Sequence, residues 1–226
     1  MKKRSKRYKE AEKLVEKNKT YSLEEAISLL KKMPPCKFDA SVDLHFHLNI
    51  DPKKTDQQVR GTVVLPHGTG KKIRILVFCK GEKENEAKQA GADIIGAEDM
   101  VDKIMKGFLD FDCVIATPDM MKDISRLGKI LGPRGLMPSP KTGTVTMDLK
   151  KAIEDVKKGK IEFKSDKQGG IHISVGKLSF EEDKLLENAN KAIQAINEAK
   201  PPSVKGKFIK SIYISSTMSP GLPIAY

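Results

Sequence analysis

The residues able to do chemistry are few, and their spacing is the first constraint. His45 and His47 stand two apart in an alternating stretch, so both imidazoles project from one face of a strand. A zinc centre needs a third and fourth ligand. Asp43 and Asn49 share that face, but nothing else converges on it. The expectation is polar residues on a wet strand face, with no metal. His67-Gly68-Thr69-Gly70-Lys71-Lys72 has the look of a phosphate loop. Such a loop needs Gly five residues before its Gly-Lys pair, where Leu65 stands. It also needs Ser or Thr after the lysine, where Lys72 stands. His67 and His172 complete no triad, and no serine has a nucleophile-elbow context. Cys36, Cys79 and Cys113 are odd in number and lack zinc-type spacing, so reduced buried thiols are expected. No catalytic residue and no cofactor are expected. A nucleotide-dependent enzyme is the rival reading, and the failed phosphate loop counts against it.

Charge points elsewhere. The chain of 226 residues carries 42 Lys and Arg against 30 Asp and Glu, net +12, with pI near 9.4. A pI above about 9 is the electrostatic footprint of a nucleic-acid binder. With no Trp and only 5% aromatics, phosphate contact and shape outweigh base stacking as the means of binding. The stretch 127–143 is dense in Gly, Pro, Lys and Arg, with Lys129, Arg134 and Lys141 inside it and Arg126 just before. Glycine lets backbone N–H groups approach phosphates, and the cations neutralise them. The stretch reads as an additional RNA-contact loop or as an ordinary connection. No apolar run approaches the roughly 20 residues of a membrane helix. The basic N-terminus has no apolar segment behind it, so a cytoplasmic protein is expected.

The elements that must hold these residues fall into two grammars. Residues 5–18 read as a basic helix. A second helix follows Ser22, with Ser22 and Glu25 in capping-box spacing and Pro34-Pro35 as its stop. Residues 41–49 alternate as a half-buried strand, and a further strand is expected at 62–65. Beyond residue 66 apolar strands alternate with helices. Strands are expected at 73–79, 93–95 and 113–116, and helices at 82–90, 98–106, 119–127 (with Asp119 as N-cap) and 148–158. This indicates a small parallel α/β sheet. Ile161 and Phe163, a turn at 166–170, and Ile171, Ile173 and Val175 read as a hairpin. A helix over 181–199, a strand over 211–215 and a Ser- and Pro-rich tail complete the chain. Residues 67–159 hold 17 basic and 14 acidic residues; the flanks hold 25 and 16. If the flanks fold together, most of the excess charge lies on them.

The stretch from Ile124 to Pro140, with Gly-Pro-Arg-Gly-Leu-Met-Pro inside it, resembles the most specific motif of the family of large-subunit ribosomal protein one. Lys37-Phe38-Asp39, Val59-Arg60-Gly61-Thr62-Val63, Leu65-Pro66-His67-Gly68 and Gly91-Ala92-Asp93 also match. So do Phe111-Asp112, Ala116-Thr117-Pro118-Asp119, Asp166-Lys167 and Ser216-Thr217-Met218. The similarity runs the length of the chain in order. It implies an α+β flank domain, split between residues 1–66 and 160–226, with an inserted Rossmann-like, three-layer α/β parallel-sheet domain at 67–159. It implies direct binding to large-subunit ribosomal RNA, a place in the mobile stalk of the large subunit, and help in releasing exit-site tRNA. It further implies repression of translation of its own operon through the messenger RNA, and a monomer when free. A free-standing messenger-binding regulator is the alternative.

Carried over residue by residue, the resemblance implies ribosomal RNA contacts at Lys37, Phe38, Ser41, Asp166, Lys167, Ser211, Thr217, Met218 and Ser219. Lysines suit phosphates, and serine and threonine hydroxyls suit the 2′-OH that distinguishes RNA from DNA. Two positions depart from the family pattern. Ser219 stands where glycine is usual, which bears on how closely RNA can approach. Ser41 stands where threonine is usual and keeps the hydroxyl.

Overall fold

The computed structural model describes residues 4–16, 19–81 and 83–226. In chain order its elements begin with α1 (Lys6–Lys13), α2 (Leu23–Lys32), β1 (Ser41–Leu48), β2 (Arg60–Val64), β3 (Ile75–Phe78) and α3 (Lys83–Gln89). Then come β4 (Ile94–Gly96), α4 (Glu98–Met105), β5 (Cys113–Ala116), α5 (Met121–Ile124), α6 (Gly128–Leu131) and α7 (Leu149–Lys157). The chain closes with β6 (Lys160–Lys164), β7 (Gly170–Lys177), α8 (Glu182–Glu198), β8 (Ile209–Ser216) and β9 (Leu222–Ile224). These form two compact units, one made of Met1–Gly70 with Ile161–Tyr226, the other of Lys71–Lys160.

In the first unit β7, β1, β8 and β9 make a four-stranded sheet in that spatial order, antiparallel throughout. β1 shows why. Val42, Leu44, Phe46 and Leu48 are buried, while Ser41, Asp43, His45 and His47 point the other way. Burying such side chains stabilises by about 1.5–3 kcal/mol each. The buried face packs on α2 and α8 through Ala26, Ile27, Leu30, Leu185, Ala189 and Ile196. α2 is fixed by its start: Ser22 Oγ accepts from Glu25 N–H, and the Glu25 carboxylate accepts from Ser22 N–H, the capping box expected from the spacing. Glu24 and Glu25 at its N-terminus and Lys31 and Lys32 in its last turn complement the helix dipole.

The second unit is a three-stranded parallel sheet, order β4-β3-β5. All four β3 residues are buried, because both faces are covered. Leu76, Phe78, Val114 and Ala116 meet α4 and the segment 120–131. Ile75, Val77 and Ile115 meet Ala87 of α3 and Ile153 and Val156 of α7. A strand covered twice shows a continuous apolar run, not alternation.

Several expectations need correction. Residues 161–175 do not form a hairpin. β6 pairs with β2, while β7 pairs with β1. The Phe163 ring lies on Gly61, where an added Cβ would come within 2.7 Å of Cζ, and Ser165 N–H donates to the Val59 carbonyl. Glycine at 61 thus leaves the room that the Phe163 ring takes when β6 pairs with β2. The helix expected over 119–127 is broken into a 3-10 turn at Pro118–Met120, α5, a 3-10 turn at Ser125–Leu127, and α6. Ser125 Oγ donates to the Lys122 carbonyl at 2.6 Å, competing with the regular ladder. Thr117, not Asp119, takes the N-cap position, without a side-chain bond. The glycine-rich stretch therefore starts as helix and buries Leu131. The tail supplies β9, with Leu222 and Ile224 buried; its two apolar residues alternate over too few positions to be read. α1 is shorter than the helix expected over 5–18, ending at Lys13; Lys17 and Asn18 lie outside the described residues, as does Glu82 at the start of the helix expected at 82–90. Cys79 is buried, while Cys36 and Cys113 are half-buried.

Candidate nucleic-acid interface

The open face of the four-stranded sheet is organised in rows across the strands. Ser41 lies opposite Lys177, Asp43 opposite Ser174 and Ser215, His45 opposite His172 and Tyr213, and His47 opposite Gly170 and Ser211. Ser41 to His47 spans about 20 Å at roughly 3.3 Å per residue.

At one end Ser41 meets the turn after β8. Thr217 Oγ1 accepts from Ser41 N–H at 3.0 Å, and Thr217 N–H donates to the Ser41 carbonyl at 3.0 Å. Lys177 Nζ donates to Ser41 Oγ and to the Asp39 carbonyl. Lys37 and Phe38 precede β1 here, and Met218 and Ser219 follow Thr217. The Ser219 hydroxyl is taken up in its own turn: it accepts from Ser216 N–H at 2.9 Å and donates to the Pro220 carbonyl at 3.0 Å.

At the other end is the turn before β7. Asp166 accepts from the N–H groups of Gly170 and Gln168 at 2.7 and 2.8 Å. The Gly170 N–H first, then that of Gln168, hold its carboxyl below the usual carboxylate range. Lys167 is exposed beside it. A depression is lined by Pro52, Gln58, Lys164, Ser165, Asp166 and Lys167. Ser211 lies at this end, paired with His47.

Of the expected contact residues, Ser41 and Thr217 meet at one end of the face and Asp166, Lys167 and Ser211 lie at the other, while Phe38 lies with Pro35, Asp39, Leu178 and Ser179 beside the first end. The residues between the two ends carry no expectation of RNA contact from the sequence: Asp43, His45, His172, Ser174, Tyr213 and Ser215. Alternation exposes the residues of β1 one strand at a time, but only the register joins the three strands into a surface. In the middle row His45 Nδ1 lies 2.9 Å from His172 Nδ1, and His45 Nε2 lies 2.9 Å from Ser215 Oγ. Burial, then the neighbouring His172, push the His45 pKa down from its ordinary value; Asp43 acts against them. Phe38, Met218 and Tyr213 are 53%, 52% and 41% exposed.

Arg126, Lys129, Arg134 and Lys141 belong to the second unit and do not join this face. All four are exposed, and none is ion-paired among the described residues. The loop is pinned by Ser139 N–H donating to Thr144 Oγ1 at 2.8 Å, and Gly135 takes φ +72°. Among the described residues no group of three or more His, Cys, Asp or Glu could hold a metal ion, and no helix is long and apolar enough to cross a membrane.

Residues 29–220 match the Ribosomal protein L1p/L10e family. The chain is 59% identical over 225 residues to the large ribosomal subunit protein uL1 of Thermosipho melanesiensis, covering 99% of this chain and 97% of that protein. It is 54% identical over 224 residues to the uL1 protein of Kosmotoga olearia, with the same coverage. It is 56% identical over 225 residues to that of Fervidobacterium nodosum, covering 99% and 96%.

Proposed function

The chain belongs to the ribosomal protein L1p/L10e family, and from that premise we propose that the open sheet face of its first unit binds large-subunit ribosomal RNA. It is a protein of the large ribosomal subunit and not an enzyme. The observation that carries the proposal is the composition of one continuous face. Hydroxyls and imidazoles fill its centre, exposed Phe38, Tyr213 and Met218 stand on or beside it, and Lys37 and Lys167 flank its two ends. Lysines at the ends meet phosphates and set register on the RNA. The hydroxyls of Ser211, Ser215 and Thr217 exchange hydrogen bonds with ribose 2′-OH groups, and the aromatic rings stack on unpaired bases. Affinity comes mainly from phosphate contacts and specificity from RNA shape.

On the family's pattern the protein forms the mobile stalk, contacts exit-site tRNA and assists its release. It also represses its own operon by binding a similar structure in the messenger. The exposed cations Arg126, Lys129, Arg134 and Lys141, which form no ion pair among the described residues, give the second unit its own RNA-contact loop. Ultraviolet cross-linking of the full chain to its ribosomal RNA stalk fragment tests the face assignment. Cross-links at Phe38, Tyr213 and Met218 are expected; cross-links confined to residues 71–160 would overturn it. Ribosome co-sedimentation separates this reading from that of a free-standing messenger-binding regulator.

A further inference from the structure

We infer that His45 and His172 act as a single proton acceptor at the centre of the sheet face, and that RNA binding takes up that proton, so affinity rises as pH falls from 7.5 to 5.5. The inference rests on the reading of this face as the RNA site.

The geometry limits the pair to one proton. With the two Nδ1 atoms 2.9 Å apart, one nitrogen must carry hydrogen and the other must offer its lone pair. Two fully protonated rings would set N–H against N–H, both charged, at hydrogen-bond distance. The rings meet edge to face with centroids 5.1 Å apart, a contact that holds this arrangement.

The surroundings decide which ring is charged. His45 is the more buried, and its second nitrogen is already engaged by Ser215 Oγ. His172 is exposed, and its Nε2 lies 3.7 Å from Asp166 Oδ2. With His45 Nε2 turned to Ser215 Oγ, the hydrogen between the rings sits on His172 Nδ1, which donates to His45 Nδ1, and the place for a further proton on the pair is Nε2 of His172, facing the Asp166 carboxylate. Neutral His45 accepts at Nδ1 and donates from Nε2 to Ser215. The depressed His45 pKa agrees with this division. A chain Ser215–His45–His172–Asp166 then crosses β8, β1 and the turn before β7.

The charges facing the pair explain why the proton matters to an anionic ligand. On β1 these are Asp43 and, one row along, His47. On the β7 side they are Asp166 with Lys167 beside it, and Lys177 at the far end opposite Ser41. β8 contributes Ser211, Tyr213 and Ser215. Without the proton, the pair is faced by the carboxylates of Asp43 in the next row and of Asp166 in the turn before β7, and the lysines stand at the ends of the face. With the proton, His172 offsets Asp166 and opens the centre to a phosphate. A phosphate there stabilises the protonated pair in turn, so binding and protonation are linked. Uptake of one proton changes affinity by about tenfold per pH unit at most.

The test is binding of the full chain, His172→Gln and His45→Gln to the large-subunit ribosomal RNA stalk fragment between pH 5.5 and 8.0 at fixed salt. Histidine ring resonances of the free protein are followed over the same range. Both substitutions lie on the open face away from the core. The wild type is expected to bind about five- to tenfold more tightly at pH 5.5 than at 7.5, and each variant to change by less than about twofold over that range. Any titration of the RNA itself is common to all three proteins and cancels in the comparison. Parallel pH profiles for wild type and His172→Gln would overturn the inference, as would two rings that each take up a full proton independently. Failure to prefer the stalk fragment over unrelated RNA at any pH is a different result: it would overturn the RNA reading of the face itself.

Discussion

Replacing Asn188 with alanine tests how the chain leaving β2 is fastened to the first unit. Asn188 is fully buried on α8. Its Oδ1 accepts from His67 N–H at 3.1 Å, and its Nδ2 donates to the carbonyls of Gly68 at 3.0 Å and Val175 at 2.8 Å. One amide thus ties the segment after β2 to β7. Each hydrogen bond is worth about 1 kcal/mol net, and a buried acceptor left without a partner costs about 1–3 kcal/mol. The Val175 bond is the buried one, so the expected loss is about 3 kcal/mol in all. At roughly 2–4 °C per kcal/mol for a chain of this size, Tm should fall by about 6–12 °C. The neighbouring His67–Glu187 pair, 2.7 Å apart at the surface, serves as control, and His67→Ala should cost about 0–1 kcal/mol. Urea unfolding of both variants measures the two losses, and amide exchange at residues 67 and 68 locates the first. A loss below about 1 kcal/mol for Asn188→Ala, or equal losses for both variants, would refute the anchoring role.

The contact residues give further expectations. Phe38→Ala should weaken binding to the stalk fragment by about 1–3 kcal/mol if a base stacks there, and Met218→Ala, which has no ring to stack, by less, with Tm unchanged in both, since both side chains are half exposed. Thr217→Val should lose stability as well as affinity, by about 1 kcal/mol, because the hydroxyl also accepts from Ser41 N–H; unchanged urea stability would refute that structural role. Lys167→Ala should lower the slope of log affinity against log salt by about 1 while leaving the preference for the stalk fragment intact. Asp166, whose carboxyl is held low by the Gly170 and Gln168 N–H groups, contributes stability that is complete above the ordinary carboxylate pKa and is lost as pH falls through its folded value. Asp166→Asn should therefore flatten the acid limb of the urea midpoint below about pH 4; an unchanged limb would assign that limb to other groups.

Elements whose signal is local are legible in the amino-acid sequence. The capping box of Ser22 and Glu25, the alternation of β1, and the apolar run of β3 each encode their partner environment within a few residues. What fails is non-local. Ile161 to Val175 has hairpin grammar, yet β6 goes to β2, where Gly61 leaves room for the Phe163 ring, a pairing between distant parts of the chain. The helix after Pro118 is interrupted by the Ser125 hydroxyl turning back on the Lys122 carbonyl, which apolar spacing does not reveal. Of the candidate site, the family motif picks out the two ends. Its centre is out of reach because His45, His172 and Tyr213 meet only through strand register. The spacing of His45 and His47 places both on one wet strand face, as expected, but it gives no sign of the actual neighbour of His45, which comes from β7, 127 positions away.

The central claim is that the first unit recognises a specific ribosomal RNA structure. The most direct measurement is binding of the full chain to its large-subunit ribosomal RNA stalk fragment and to an unrelated structured RNA of equal length, over a salt series. A preference for the stalk fragment that persists at physiological salt is predicted, with a slope that counts its phosphate contacts. Equal binding to both RNAs, lost together as salt rises, would reduce the face to a non-specific basic surface and contradict the account.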